Sequence, residues 1–269
     1  MSKPDEGSRY WRPILVAHRG TPQETPENSI AGFKRAAMQG AKFIEFDLVI
    51  SNDGIIYVSH DDNLKRTTGC NINVSLTDSG QLDTIMLPNG EKLPRLEEVL
   101  LQLGGKLFYI IETKDIGGDE ARLMDQELIR LLKKYRMQSR VILSSQSFDS
   151  LKTLHESFCQ ASYMYIFPSN SMTGITARRL KFLPEWVDSI SVSKDKITRR
   201  ATRYARARGL DVALFTVRTR KDMEKVLRYK PDIIFTDNIR ISIKSIRINS
   251  LAPPMNGQFH GMGFQYPRK

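Results

Sequence analysis

The chain has 269 residues, 40% of them hydrophobic, and a formal net charge of +11. That apolar content supports a sizeable core and excludes a disordered chain, and no apolar run reaches the roughly 20 residues of a membrane helix. Two cysteines, Cys70 and Cys159, without CxxC spacing exclude a disulfide framework and a cysteine-based zinc site, and two reduced thiols are expected.

In chain order, the polar N-terminus MSKPDEGSRY lacks the apolar stretch of a signal peptide. A cytoplasmic protein, or a processed form, is the expectation. ILVA (14–17) predicts a strand that ends abruptly at His18, Arg19 and Gly20. ENSIAGFKRAAMQG predicts a helix opening at Glu27 and Asn28 and ending at Gly40. KFIEFDLVI (42–50) and IIYVSHD (55–61) are extended runs joined by an Asn-Asp-Gly turn, which suits a hairpin. Residues 62–94 are polar and irregular and read as part of an insertion, about 51–94, on the main pattern, a lid or a small subdomain.

The pattern then resumes. LEEVLLQLG is a helix and LFYIIETK (107–114) a strand. Residues 119–135 carry a helical stripe at positions 123, 124, 128, 131 and 132. VILSS (141–145) is a strand, FDSLKTLHESF a helix, ASYMYIF (161–167) a strand, and a weak helix lies near 176–183. DSISVS (188–193) is a strand, followed by RRATRYARARG (199–209). The basic residues at 199, 200, 203, 206 and 208 fall mostly on the outer side of one amphipathic helix. DVALFTV (211–217) is a strand, RKDMEKVLRYK a helix, IIFTD (233–237) the last strand, and a closing helix follows near 238–248. The tail APPMNGQFHGMGFQYPRK is rich in Pro and Gly, and residues 249–269 read as a loosely held extension.

With 55–61 as the hairpin arm, eight strands alternate with helices over residues 13–248. The expected fold is α/β, a single (β/α)8 TIM barrel with a small insertion after the second strand. An open doubly wound sheet is the runner-up, but no strand leads into a GxGxxG turn.

Active-site residues of such a barrel sit at the C-terminal strand ends. His18 and Arg19 follow the first strand. Glu45 and Asp47, two apart, share a face of the second, and Glu112 and Lys114 do the same on the third. His60 and Asp61 end the hairpin arm. Taken singly, each has an ordinary structural explanation. Together, three carboxylates at adjacent strand ends would repel by about 4 kcal/mol per pair at 4 Å and an effective dielectric of 20, or on the order of 10 kcal/mol in all. Lys114 and Arg19 offset part of this, and a divalent cation does so more fully. An all-oxygen donor set favours Mg²⁺ or Ca²⁺ over zinc. Such a site suits phosphoryl chemistry, with two histidines dividing acid and base roles. His155, on a helix, and His260, in the tail, look incidental.

HRG (18–20), ENS (27–29), EFD (45–47), HDDNLKRTT (60–68), ETK (112–114) and IIFTDN (233–238) occur here in one order. In that set the sequence resembles the glycerophosphodiester phosphodiesterase family over about residues 13–240. The resemblance implies His18 and His60 as the acid–base pair, and Arg19 and Lys114 as phosphate ligands. It implies Glu45, Asp47 and Glu112 as metal ligands, with Glu27 and Asn28 supporting the first loop and Glu27 lining the site. It implies cleavage of a glycerophosphodiester to glycerol 3-phosphate and an alcohol. Two departures stand out: Phe215 where the family carries a tryptophan, which bears on substrate preference, and Asn238-Ile239 after Thr236-Asp237. Asp237 itself reads as a helix cap.

The nearest alternative is a lysophospholipase D or sphingomyelinase D-like enzyme acting on lipids. Residues 1–170 carry 20 Lys+Arg and 22 Asp+Glu, whereas residues 171–269 carry 21 and 8. This skew, with the aromatic YWRPIL, could favour transient contact with a membrane surface. It is equally what an ordinary solvated face shows. A non-catalytic barrel that binds nucleic acid is a third class, against which the full catalytic set argues, so no specific nucleic-acid partner is expected. Head group, metal identity, which histidine is the base and oligomeric state are left open.

Overall fold

The computed structural model describes residues 11, 13–114, 117–169 and 175–249. The tail expected to be loose therefore lies, beyond Asn249, outside the described residues, as do the N-terminal decapeptide and Arg12. In chain order the strands are β1 (Ile14–His18), β2 (Phe43–Ile50), β3 (Ile56–Val58), β4 (Phe108–Thr113), β5 (Val141–Ser145), β6 (Ser162–Ile166), β7 (Ser189–Ser193), β8 (Asp211–Val217) and β9 (Ile233–Thr236). The helices are α1 (Ile30–Met38), α2 (Lys65–Thr68), α3 (Ser79–Leu82), α4 (Leu96–Leu103), α5 (Gly118–Lys134), α6 (Phe148–Ser157), α7 (Ala177–Lys181), α8 (Arg199–Ala207), α9 (Arg220–Leu227) and α10 (Ile239–Asn249).

Eight strands pair in parallel in the order β1-β9-β8-β7-β6-β5-β4-β2, and β1 also pairs with β2, so the sheet closes. This is the (β/α)8 barrel that the alternation of elements predicts. β3 runs antiparallel to β2, with Leu48 opposite Val58, as the hairpin arm. None of the helices among the described residues is long and apolar enough to cross a membrane.

The position of the site follows from strand periodicity. Val16, Phe43, Ile110, Ile142, Met164, Ala213, Ile233 and Phe235 cluster as a buried apolar plug inside the barrel. Two residues further along the same strands, and so on the same face, stand His18, Glu45, Glu112, Ser144, Ile166, Phe215 and Asp237. The plug therefore gives way to polar groups toward the strand ends. β7 has serines in its alternate positions, with Ile190 and Val192 packed outward against the helices. Each large apolar side chain buried in these layers contributes about 1.5–3 kcal/mol.

Three sequence expectations need correction. α1 starts at Ile30, because Ser29 is the cap and accepts from the Gly32 N–H at 3.0 Å. Glu27 and Asn28 precede it, and Asn28 sits in the left-handed region at φ 57°. Leu123 belongs to no buried stripe of α5: it is 45% exposed, while Asp125 and Ile129 are buried. Residues 62–94 hold α2, α3 and their own small core of Val49, Tyr57, Leu64, Val74, Leu82 and Leu93. Its apolar residues are too widely spaced to show a period.

Candidate active site

Of the residues singled out in the sequence, His18, Arg19, Glu45, His60, Glu112 and Phe215 line one cavity of about 360 Å³, whereas Asp47, Lys114 and Glu27, which was expected to line the site, are not among its lining residues. Strand register brings them together. His18 lies opposite Glu45 across β1 and β2, and Asp47 lies opposite Glu112 across β2 and β4.

The turn after β1 is shaped by two residues in the left-handed region, Arg19 at φ 53° and Gly20 at φ 86°. A Cβ on Gly20 would lie 2.9 Å from the backbone carbon of Gly32, so only glycine fits against α1. Arg19 holds an uncommon conformation for a side-chain-bearing residue. Its backbone N–H is shared between the main-chain oxygen of Glu45 at 2.9 Å and the Glu45 side chain at 3.0 Å. The turn is thus pinned to β2.

One oxygen from each of Glu45, Asp47 and Glu112 lies within 4.8 Å of the others. Glu45 and Asp47 are buried. Lys114 Nζ bonds to Asp47 Oδ1 and, at 3.0 Å, to Glu112 Oε1. Arg19 Nε lies 3.2 Å from Asp47 Oδ2 without a good hydrogen-bond angle to it. Asn28 Nδ2 donates to the same oxygen at 3.3 Å. Burial and the neighbouring charge of Asp47 push the Glu45 carboxyl up to about 7. Burial would raise Asp47 too, but Lys114 and Arg19 outweigh it and hold Asp47 well below the usual carboxylate range. Lys114 is raised in turn: burial opposes its charge, and Asp47 and Glu112 outweigh burial.

This donor set fits a hard divalent cation. It is all oxygen, its oxygens converge from adjacent strands, and Glu45 and Asp47 are buried side by side. The residues that could hold a metal are therefore Glu45, Asp47 and Glu112.

Each site histidine has its Nδ1 against a carboxylate. For His18 the partner is Asp237 Oδ1 at 2.7 Å, and its Nε2 lies 4.0 Å from Glu45 Oε2. Burial alone would lower the His18 imidazole, but the charge of Glu45 and the bond to Asp237 raise it above the usual histidine range. For His60 the partner is Asp61 Oδ1 at 2.6 Å. A bond at Nδ1 leaves Nε2 of each ring for chemistry.

Two charged residues overlooked in the sequence complete the network. Arg66 of α2 donates from Nη2 to Glu27 Oε1 at 2.7 Å and from Nε to Asp61 Oδ2 at 2.6 Å, and Glu27 also accepts from Arg19 Nη1 at 3.2 Å. Arg218 Nε donates to Asp237 Oδ2 at 2.9 Å. Arg66 stood inside the HDDNLKRTT run, but nothing in its spacing marks a partner 39 residues away. Asp237 does not cap α10, as its position suggested. Asn238 does, accepting from the Ile241 N–H at 3.0 Å. His155 is remote from the cavity and stacks on Trp186 with centroids 4.6 Å apart.

A family model described as the Glycerophosphoryl diester phosphodiesterase family matches residues 18–241. A glycerophosphodiester phosphodiesterase of Bacillus subtilis is 29% identical over 245 residues, covering 84% of this chain and 84% of that protein. A glycerophosphodiester phosphodiesterase of Caldanaerobacter subterraneus is 29% identical over 253 residues, covering 87% of this chain and 98% of that protein. Among solved structures, a phosphodiesterase of Oleispira antarctica in complex with the product sn-glycerol-3-phosphate superposes with a TM-score of 0.78 at 22% identity, covering 87% of this chain and 96% of that chain.

Proposed function

The chain belongs to the glycerophosphoryl diester phosphodiesterase family and is an enzyme of that class, and from this premise we propose that it cleaves a glycerophosphodiester to glycerol 3-phosphate and an alcohol. One observation supports the reading: two histidines, each with its Nδ1 against a carboxylate, line the same cavity as Glu45 and Glu112 of the three-carboxylate cluster.

Arg19, which lines the cavity, and Lys114, beside Asp47 and Glu112, hold the phosphodiester. Nε2 of one histidine takes the proton of the attacking hydroxyl, and Nε2 of the other gives a proton to the departing alcohol oxygen. Asp237 and Asp61 keep the two rings oriented throughout. A Mg²⁺ or Ca²⁺ ion held by Glu45, Asp47 and Glu112 would supply charge stabilisation for the equatorial phosphate oxygens. Phe215 forms part of the apolar wall beside the reacting group, and Glu27, bridged to Arg19 and Arg66, fixes the first loop.

The test is turnover of glycerophosphocholine by the wild type and by His18→Ala and His60→Ala. Each variant is expected to lose activity while keeping its fold. Near-wild-type turnover in either one overturns the acid–base pair. Phosphorus NMR on the products distinguishes attack by water from attack by the glycerol 2-hydroxyl, which gives a cyclic phosphate first. Preferential cleavage of lysophosphatidylcholine would move the assignment to the lysophospholipase D alternative.

A further inference from the structure

One side of the cavity mouth is basic in a way the chemistry above does not use. The loops after β7 and β8 adjoin: the Lys194 N–H donates to the Phe215 main-chain oxygen at 2.8 Å, and Lys225 Nζ reaches Asp195 Oδ1 at 2.5 Å. These loops and the first turns of α8 and α9 carry Lys194, Lys196, Arg199 and Arg200, then Arg218, Arg220 and Lys221. Lys194 and Arg218 line the cavity itself, so the cations form a rim continuous with the mouth.

The two carboxylates of these loops are already engaged. Asp195 pairs with Lys225, and Asp222 accepts from Thr219 in the cap of α9. Arg220 has Glu224 at 3.3 Å. Among the described residues, Lys196, Arg199, Arg200 and Lys221 have no carboxylate within ion-pair distance. Arg199, Arg200 and Lys221 are also exposed.

Their placement works against local stability. Arg199 and Arg200 open α8, which has no acid in its first turn, and Arg220 and Lys221 open α9, where Asp222 of the capping box is the first-turn acid. Cations at a helix N-terminus oppose the helix dipole, and acids would be the stabilising choice. Lys194, Arg218 and Arg220 of this rim are paired, but Lys196, Arg199, Arg200 and Lys221 are not, and the last three stand at helix starts, an arrangement that an anionic partner would reward. None of the large exposed apolar side chains among the described residues (Met38, Leu76, Met86, Leu101, Leu123 and Phe182) lies on this rim. Contact there is electrostatic, without an apolar wedge and without the exposed aromatic platform that single-stranded nucleic acid uses.

We propose that this rim docks the barrel mouth, by charge alone, onto the surface of an anionic lipid bilayer. Clusters of four to eight Lys or Arg have the required strength near such a surface. The inference does not depend on the phosphodiesterase reading, because docking is measured without turnover.

The test is vesicle co-sedimentation of the full chain with phosphatidylcholine alone and with one part phosphatidylglycerol to two parts phosphatidylcholine. The quadruple variant Lys196→Glu, Arg199→Glu, Arg200→Glu, Lys221→Glu is measured beside it. Glu at the first turns suits the helices, and Gln at the same four positions gives a second variant if reversal impairs folding. The wild type is expected to bind the anionic vesicles only, to release at about 0.5 M salt, and to lose at least about 100-fold in partitioning on charge reversal. The four residues lie outside the catalytic set, so turnover of a soluble diester at high salt should be unchanged. Equal binding to both vesicle types, or undiminished binding by both variants, overturns the proposal. Tighter binding to a single-stranded oligonucleotide than to the anionic vesicle also overturns it.

Discussion

His18 Nδ1 and Asp237 Oδ1 are 2.7 Å apart although 219 positions separate them in the chain. The bond spans the seam at which β1 closes against β9. It fixes the ring so that Nε2 faces the cavity, and it links the histidine through Asp237 to Arg218.

Asp237→Asn keeps the shape but changes the charge that holds the ring. By analogy with hydrolase dyads in which an aspartate orients the catalytic histidine, kcat is expected to fall roughly 10²–10⁴-fold with little change in KM. Steady-state kinetics, with circular dichroism to verify folding, checks this. A variant with wild-type kcat would mean that Asp237 does not position His18.

The carboxylate cluster predicts linkage between metal and stability. Adding Mg²⁺ or Ca²⁺ should raise the melting temperature of the wild type, by the equivalent of about 2.7 kcal/mol at a hundredfold excess over Kd. Asp47→Asn should lose most of that rise. Excess chelator should abolish turnover, and replenishment with one of the two ions should restore it. Full activity in chelator would refute the metal assignment.

Asp125 gives a pH-dependent stability prediction away from the site. It is a buried acid of α5 that accepts only from Ser150 Oγ, at 3.1 and 3.2 Å, among the described residues. Burial pushes its carboxyl from an ordinary 3.8 up to about 6. A raised folded-state value means that its stabilising contribution is complete below about 3.8 and is lost as pH rises through about 6. Asp125→Asn, which stays neutral, should therefore match the wild type near pH 3.5 and exceed it above pH 7, by up to about 3 kcal/mol. Urea midpoints across that range measure it, and equal midpoints at pH 7 would contradict it.

Gly20→Ala tests the turn that sets the catalytic rim. The new Cβ would meet the Gly32 backbone at a φ that side-chain-bearing residues avoid. A loss of at least about 1 kcal/mol is expected, together with a larger fractional loss of activity as His18 and Arg19 shift. Wild-type melting and turnover in this variant would show that the turn has slack.

What the sequence made legible depended on how far apart the partners lie. Glu45 and Asp47 share a face because strand side chains alternate, and that follows from spacing alone. The barrel itself follows from eight such strands alternating with helices. Asp237 was misread because an acid after a strand and before a helix fits a cap as well as a site, and only barrel closure brings it to His18. Arg66 was missed for the same reason: its partner Glu27 is reached only once the insertion has folded on its own small core. Ser29 took the cap because its hydroxyl reaches the Gly32 N–H, leaving Asn28 free to turn back toward Asp47.

The closure of β9 on β1 also carries a consequence for biosynthesis. As the chain emerges from the ribosome, His18, His60, the three carboxylates, Arg19 and Lys114 are all made by residue 114. Asp237 follows only after the remaining strands, directly behind β9, which completes the cylinder. On the proposed mechanism, a chain still lacking β9 would therefore have His18 in place without the carboxylate that holds its Nδ1.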